Sequence, residues 1–375
     1  MRQRRGVSSA LVLGLALVGC TKERPPAEEL PAANLQLLST DLRATAIVAT
    51  LADPLPKDRS ALWCASFQLA WNELKKLAGE PVLIERALDA CERLNAGKSS
   101  SRDLDPQSFY AAAGFLRDGI DQTIREGLAR QFPDKTAPNF SDLGPDGVVA
   151  YAYLQAAVAF TTNFAPVAAS HSFTDASGQK SAARFFEIPK HHDERAKMAA
   201  QVDVLFWRER EDETPEFALD PCKDTMPYQL ILAGLNKRST LEVMFSDLER
   251  ASAEFARSDE PKKLESGDSF LYPGFDFLIE HRFHELQGLE RRLINRKLAG
   301  LYVAEAFQSI RFRLNESGAR LESEARILAK KQASEEPRRF HFDRPFLLVL
   351  KKRDVSRPVF VMWIENAELL AKSSG

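Results

Sequence analysis

Cysteine is scarce in this chain. Only four of its 375 residues are Cys, at positions 20, 64, 91 and 222. None form a C-x-x-C pair, which argues against a structural zinc site or a dense disulfide framework. Cys64, Cys91 and Cys222 form an odd set, consistent with one bridge or with three free thiols. An excess of either charge is also missing. Lys and Arg number 51 against 53 Asp and Glu, and the two signs are interspersed. That pattern does not suggest a nucleic-acid partner, which calls for a basic stripe. No P-loop, G-x-G-x-x-G or G-x-S-x-G motif occurs, and no Ser/His/Asp set stands out by spacing. His284-Glu285-Leu286-Gln287-Gly288 lacks the second His of a zinc-protease helix. His281 and His284 fit the solvated start of a helix better than a metal site. The reading is therefore a protein that is not an enzyme and needs no cofactor or metal. The apolar run Val7–Val18 is too short for a membrane span of about 20 residues.

That run does suit a targeting signal. Arg2, Arg4 and Arg5 precede it, and Leu17-Val18-Gly19-Cys20 closes it. The closing motif resembles a bacterial lipobox. The resemblance implies that Cys20 is acylated and becomes the mature N-terminus. Thr21, in place of Asp, points to the outer membrane, and the acyl chains would anchor the chain there. Pro25, Pro26 and Pro31 sit among charges in the next stretch, which reads as a flexible tether. The expected organisation is a signal peptide over 1–19, a tether over 20–33, one domain over 34–370 and a short tail over 371–375.

Within the domain, helices come first. Apolar spacing predicts helices over 34–51, 62–77, 82–94, 105–116 and 120–132. Strands follow. Val148–Phe164 is nearly uncharged, as a strand covered on both faces would be. Phe173–Gln179 reads as a strand entering a turn. Further strands are expected over 228–235, 241–245, 275–279, 310–314, 346–350 and 359–364. Helices followed by strands give an α+β fold rather than alternating βαβ units.

The most informative stretch is Phe340-His341-Phe342-Asp343-Arg344-Pro345-Phe346, followed by the apolar Leu347–Leu350. It resembles the C-terminal signature of the serpin family, carried here by Phe342, Asp343, Arg344, Pro345 and Phe346. Upstream, Glu316-Ser317-Gly318-Ala319 resembles the hinge of the serpin reactive loop. Gly318 and Pro345 lie 27 positions apart, close to that family's loop length. The resemblance is strong over 301–366. It implies N-terminal helices on a large mixed sheet, smaller sheets, and an exposed loop over about 316–340. It also implies a monomer whose partner is a serine protease. The protease cuts the loop, and the hinge side then inserts as a new strand of the large sheet.

An inserted strand must turn uncharged side chains inward at every second residue. Ala319, Leu321, Ser323, Ala325, Ile327 and Ala329 are all uncharged, while Arg320, Glu322, Glu324, Arg326 and Lys330 carry the charges between them. Leu321, Ala325 and Leu328 also fit a helix, with Glu322 and Arg326 four apart. Strand-inserting and non-inserting loops therefore both remain open. The family's spacing from Gly318 puts the cut near Gln332, within the stretch Lys330, Lys331, Gln332 and Ala333. A Lys there would suit a trypsin-like protease. Three positions depart from the family pattern. Cys64-Ala65 stands where a Ser-Pro pair opens the second helix, Gln308 stands in place of a His, and Val158 in place of a Trp. All three belong to the region where the large sheet opens.

Overall fold

The computed structural model describes residues 35–167, 171–209, 214–317 and 337–372. The chain opens with strand β1 (Leu35–Leu38), β2 (Thr45–Ile47) and β3 (Ser60–Cys64), which runs straight into helix α1 (Ala65–Ala78). Gly79, in the left-handed region at φ 78°, ends that helix by donating its N–H to Lys75 O. Helix α2 (Leu88–Ala96), β4 (Phe109–Phe115), α3 (Ile120–Gln131) and β5 (Val148–Leu154) follow. The middle of the chain forms β6 (Ala165–Pro166), β7 (His171–Thr174), β8 (Lys180–Ala183), β9 (Phe185–Glu187) and α4 (Arg195–Ala200). Then come β10 (Asp203–Arg208), β11 (Glu216–Asp220), β12 (Tyr228–Gly234), α5 (Leu241–Ala256), β13 (Ser269–Pro273), β14 (Phe275–Arg282) and β15 (Phe307–Leu314). The chain closes with β16 (Arg339–His341), β17 (Phe346–Lys352) and β18 (Pro358–Ile364).

The architecture is α+β, with few helices and one large sheet. That sheet has seven strands in the order β10-β11-β12-β17-β18-β3-β2. The hairpin β17–β18 lies inside it, and every residue of β18 is buried. A strand packed on both faces has no polar side, so these two segments read as unbroken apolar runs. Helix α5 packs against the sheet through Leu241, Met244, Phe245, Leu248, Ala251 and Phe255. Three smaller groups surround it: β16-β13-β9-β6, the trio β1-β14-β15, and the hairpins β4–β5 and β7–β8.

Several expected elements change type. Residues 34–51 form β1 and β2, not a helix, because each adds to the edge of an existing sheet. Residues 109–115 form β4, pairing with β5 along their whole length, despite three successive alanines. Residues 241–245 begin α5 instead of a strand; the Thr240 side chain accepts the Val243 N–H and caps it. Ile310–Leu314 is a strand as expected, but in the trio with β14 and β1 and not in the seven-stranded sheet.

Candidate functional site

Two strand pairs lie side by side over helix α1. The β4–β5 hairpin covers one part of the helix, and β15, at the edge of its trio, covers another. On the far face of β4–β5, α3 packs through Ile120, Ile124 and Leu128 against Tyr110, Tyr151 and Tyr153. Thus β5 lies between two helices, but the expected central strand over 148–164 stops at Leu154 and pairs with β4 in a two-stranded hairpin. Among the described residues β5 and β15 share no backbone ladder. Their continuations do meet, where Phe164 N donates to Glu316 O at 2.9 Å. Among the described residues, β5 and β15 thus each keep one edge without a strand partner, and the space between these edges is the slot, bridged at one end by that bond.

The closed end is built around Glu316, the first hinge residue. Arg184 Nη2 lies 3.5 Å from its carboxylate. Just before it, Tyr272 donates its hydroxyl to Asn315 O at 3.1 Å. The Asn315 side chain accepts both the N–H and the hydroxyl of Ser317, fixing a tight bend. Tyr272 is fully buried among Phe160, Phe164, Phe186 and Phe270. Burial pushes its phenol well above the usual range, and the nearby Glu316 charge adds to that. Tyr272 therefore stays a neutral donor at any working pH. Gly318, Ala319, Leu321, Ser323, Ala325, Lys330, Lys331, Gln332 and Ala333 lie outside the described residues, as does Cys20.

Where β15 meets α1, two of the three departures named from sequence come together. Gln308 on β15 is 4% exposed. Its Nε2 donates to Cys64 O at 3.1 Å and to Ser66 Oγ at 2.9 Å. The side chain thus ties β15 to the β3–α1 junction. The Cys64 thiol sits 3.6 Å from the same hydroxyl, and burial raises its pKa, which makes it a poor nucleophile. Cys64, Cys91 and Cys222 are all free thiols. Val158 is half-buried against the main core and does not join this contact.

The signature residues divide by role. Phe342 and Phe346 are buried and 5.2 Å apart, and Phe342 also meets Phe217. Asp343 accepts from or pairs with His171 Nε2 at 3.1 Å, and its carbonyl takes the Thr174 N–H. These bonds fasten the β7–β8 hairpin over the start of β17. Arg344 is exposed and Pro345 half-buried. His341 bonds Ser269 on β13 at 2.8 Å, and burial lowers its pKa.

Sequence reading missed one feature. Arg338, just before β16, holds Asp268 in a buried clamp. Asp268 Oδ1 accepts the Arg338 N–H at 2.9 Å, and Oδ2 accepts Nη2 at 2.8 Å and Nε at 3.2 Å. Arg338 also bonds the carbonyls of Pro261 and Lys263 and lies over the Phe340 ring. The partners stand 70 residues apart in sequence, and no local pattern marks such a pair.

No family model and no curated protein matches the chain. Among solved structures it is similar to serpins. Against a serpin of Arabidopsis in its native stressed conformation, the identity is 12% and the TM-score 0.44, covering 83% of this chain and 93% of that one. Against the thermophilic serpin tengpin the values are 10% and 0.39, covering 76% and 70%. Against native protease nexin-1 with heparin they are 13% and 0.38; there the match covers 67% of this chain and 64%, under two thirds, of the other.

Proposed function

We propose that this chain is a serpin-like inhibitor of serine proteases, held at the bacterial cell envelope by a lipid on Cys20. Cleavage of the loop over about 316–340 near Gln332 releases its hinge side, which enters the slot between β5 and β15. The observation that carries this reading is that, among the described residues, β5 and β15 each keep one edge unpaired although Phe164 N–H bonds Glu316 O beside them. The alternation from Ala319 to Ala329 would suit that space, with its uncharged face turned toward α1. Strand addition there supplies backbone partners to two open edges at once. Lys330 and Lys331 make a trypsin-like enzyme the first to test. Residues 1–19 act as the signal and 20–33 as the tether to the outer membrane. The test is a complex with protease that survives SDS, together with a rise in melting temperature after loop cleavage.

A second reading is a non-inhibitory binding module on the same fold. The observation favouring it is the Gln308–Cys64–Ser66 contact, which fastens β15 to α1 beside the slot. On that reading the loop is cut without any complex and without thermal gain.

A further inference from the structure

Three short extended segments lie side by side, one from between α1 and α2 and two from between β14 and β15. Ile84 pairs with Leu293 and Arg292 with Tyr302, both antiparallel. Backbone bonds of 2.8–3.1 Å hold them: Glu85 N to Arg292 O, Ile294 N to Leu83 O, Leu293 N to Leu301 O and Val303 N to Arg291 O. Extended chains send successive side chains to opposite faces. Val82, Ile84 and Leu293 go inward, buried in a cluster with Leu286 and Leu298. Leu83, Ile294 and Tyr302 go outward and stay 39%, 53% and 46% exposed. Leu83 stands opposite Ile294, and Tyr302 is its diagonal neighbour across Arg292. The charge here leans one way. Residues 291–297 read Arg-Arg-Leu-Ile-Asn-Arg-Lys, with four cations and no carboxylate, in a chain whose net charge is −2. Arg292, Arg296 and Lys297 are exposed, and among the described residues their side chains make no hydrogen bond or ion pair. Of the nearby acids, Glu290 pairs with Arg86, Glu80 accepts from Asn295 and the Arg296 N–H, and Glu85 stands opposite Arg292.

We propose that this face docks the protein against a bilayer carrying anionic phospholipid, with Leu83, Ile294 and Tyr302 at the headgroup boundary and Arg292, Arg296 and Lys297 against the lipid phosphates. The inference rests on the envelope reading above and deepens it: a lipid on Cys20 keeps the chain near the membrane, and this face decides which side of the domain meets it. Only such a surface satisfies both halves of the patch. A polyanion in solution would pair the cations and leave Leu83 and Ile294 in water. A neutral apolar partner would cover those two and strand the cations. A bilayer offers an acyl boundary to the aliphatic side chains, headgroup depth to the Tyr ring and negative charge to the guanidinium and ammonium groups.

The test uses the chain from residue 20 onward with Cys20→Ser, made without its signal, so that it holds every described residue and no lipid. It is mixed at low salt with vesicles of phosphatidylcholine, alone or with an equal part of phosphatidylglycerol, and the vesicles are sedimented. The parent should sediment with the anionic vesicles and stay in solution with the neutral ones. Replacing Arg292, Arg296 and Lys297 together by Gln should weaken its partition by about 100-fold, since each cation near an anionic surface contributes about fivefold. Ile294→Ser with Tyr302→Ser keeps every charge and should weaken it by about tenfold. All five side chains are exposed, so both variants should melt like the parent. No binding to anionic vesicles, equal binding to both kinds, or a triple variant that binds like the parent would overturn the proposal. So would a dimer in solution that the Ile294 and Tyr302 replacements abolish, which would assign the face to a second copy. Because the assayed chain carries no lipid, its failure leaves the Cys20 anchor standing, and palmitate labelling of the full chain tests that anchor separately.

Discussion

Removing one carboxylate should unfasten the chain just before β16. Asp268 is 3% exposed and takes three bonds from Arg338 and one from the Glu265 N–H. Its loss in Asp268→Ala strands a guanidinium whose side chain is only 12% exposed. Breaking a buried pair from one side costs about 3–5 kcal/mol, since the remaining guanidinium keeps its bonds to the Pro261 and Lys263 carbonyls but loses its counter-charge. The entropy of unfolding is ~2.1 cal/mol/K per residue, so a domain of ~340 residues loses about 4–7 °C in melting temperature. The assay is thermal denaturation at pH 7 followed by circular dichroism. A double-mutant cycle with Arg338→Met accompanies it. Replacing both partners by apolar groups removes the stranded charge, so Asp268→Ala with Arg338→Met should recover most of the loss. A single variant within about 1 °C of wild type, or a double variant no better than the single, would refute the reasoning.

Three further outcomes follow from particular contacts. In Gly127→Ala the new Cβ would sit 2.6 Å from the Tyr110 hydroxyl oxygen, with the ring closer still; α3 must back away from β4, and the loss of about 1–3 kcal/mol from overpacking should exceed the usual helical gain, read by urea denaturation. Burial lowers the His281 pKa from 6.5 to about 4, so this residue favours folding above pH 6.5, and that contribution is lost as pH falls toward 4; His281→Gln should flatten the pH–stability curve over that window, and an unchanged slope would count against it. Cys20→Ser should move the protein from the membrane fraction to the soluble one and abolish labelling by palmitate; continued labelling would place the lipid elsewhere.

Much of the later fold was legible because burial there is two-sided. The segments at 346–350 and 358–364 have no polar face, and such runs announce a central hairpin. Helix α3 was legible from its spacing alone. Residues 109–115 misled because alanine favours helices locally, while the small side chains actually let β4 lie close between α1 and α3. Residues 34–51 misled for a related reason. Their Leu and Ile spacing fits a helix, yet Leu35, Leu37 and Ile47 fill the edges of two different sheets. Leu241–Phe245 is apolar enough for a strand, but the Thr240 cap and the recurrence at Met244, Leu248 and Ala251 carry a helical period. At the site, Gln308 and Cys64 could be named in advance and do meet. The unpaired state of the slot and the Arg338–Asp268 clamp could not. Each depends on which residues distant in sequence lie opposite one another, and composition carries no trace of that.

The central claim is that the space between β5 and β15 takes the cleaved loop and so traps a protease. Its most direct test is incubation with a panel of serine proteases, trypsin included, followed by denaturing electrophoresis and mass spectrometry. The account predicts an SDS-resistant band containing both proteins, with the chain cut close to Gln332. A loop cut cleanly at that point by every protease that attacks it, with no resistant band for any of them, would contradict it.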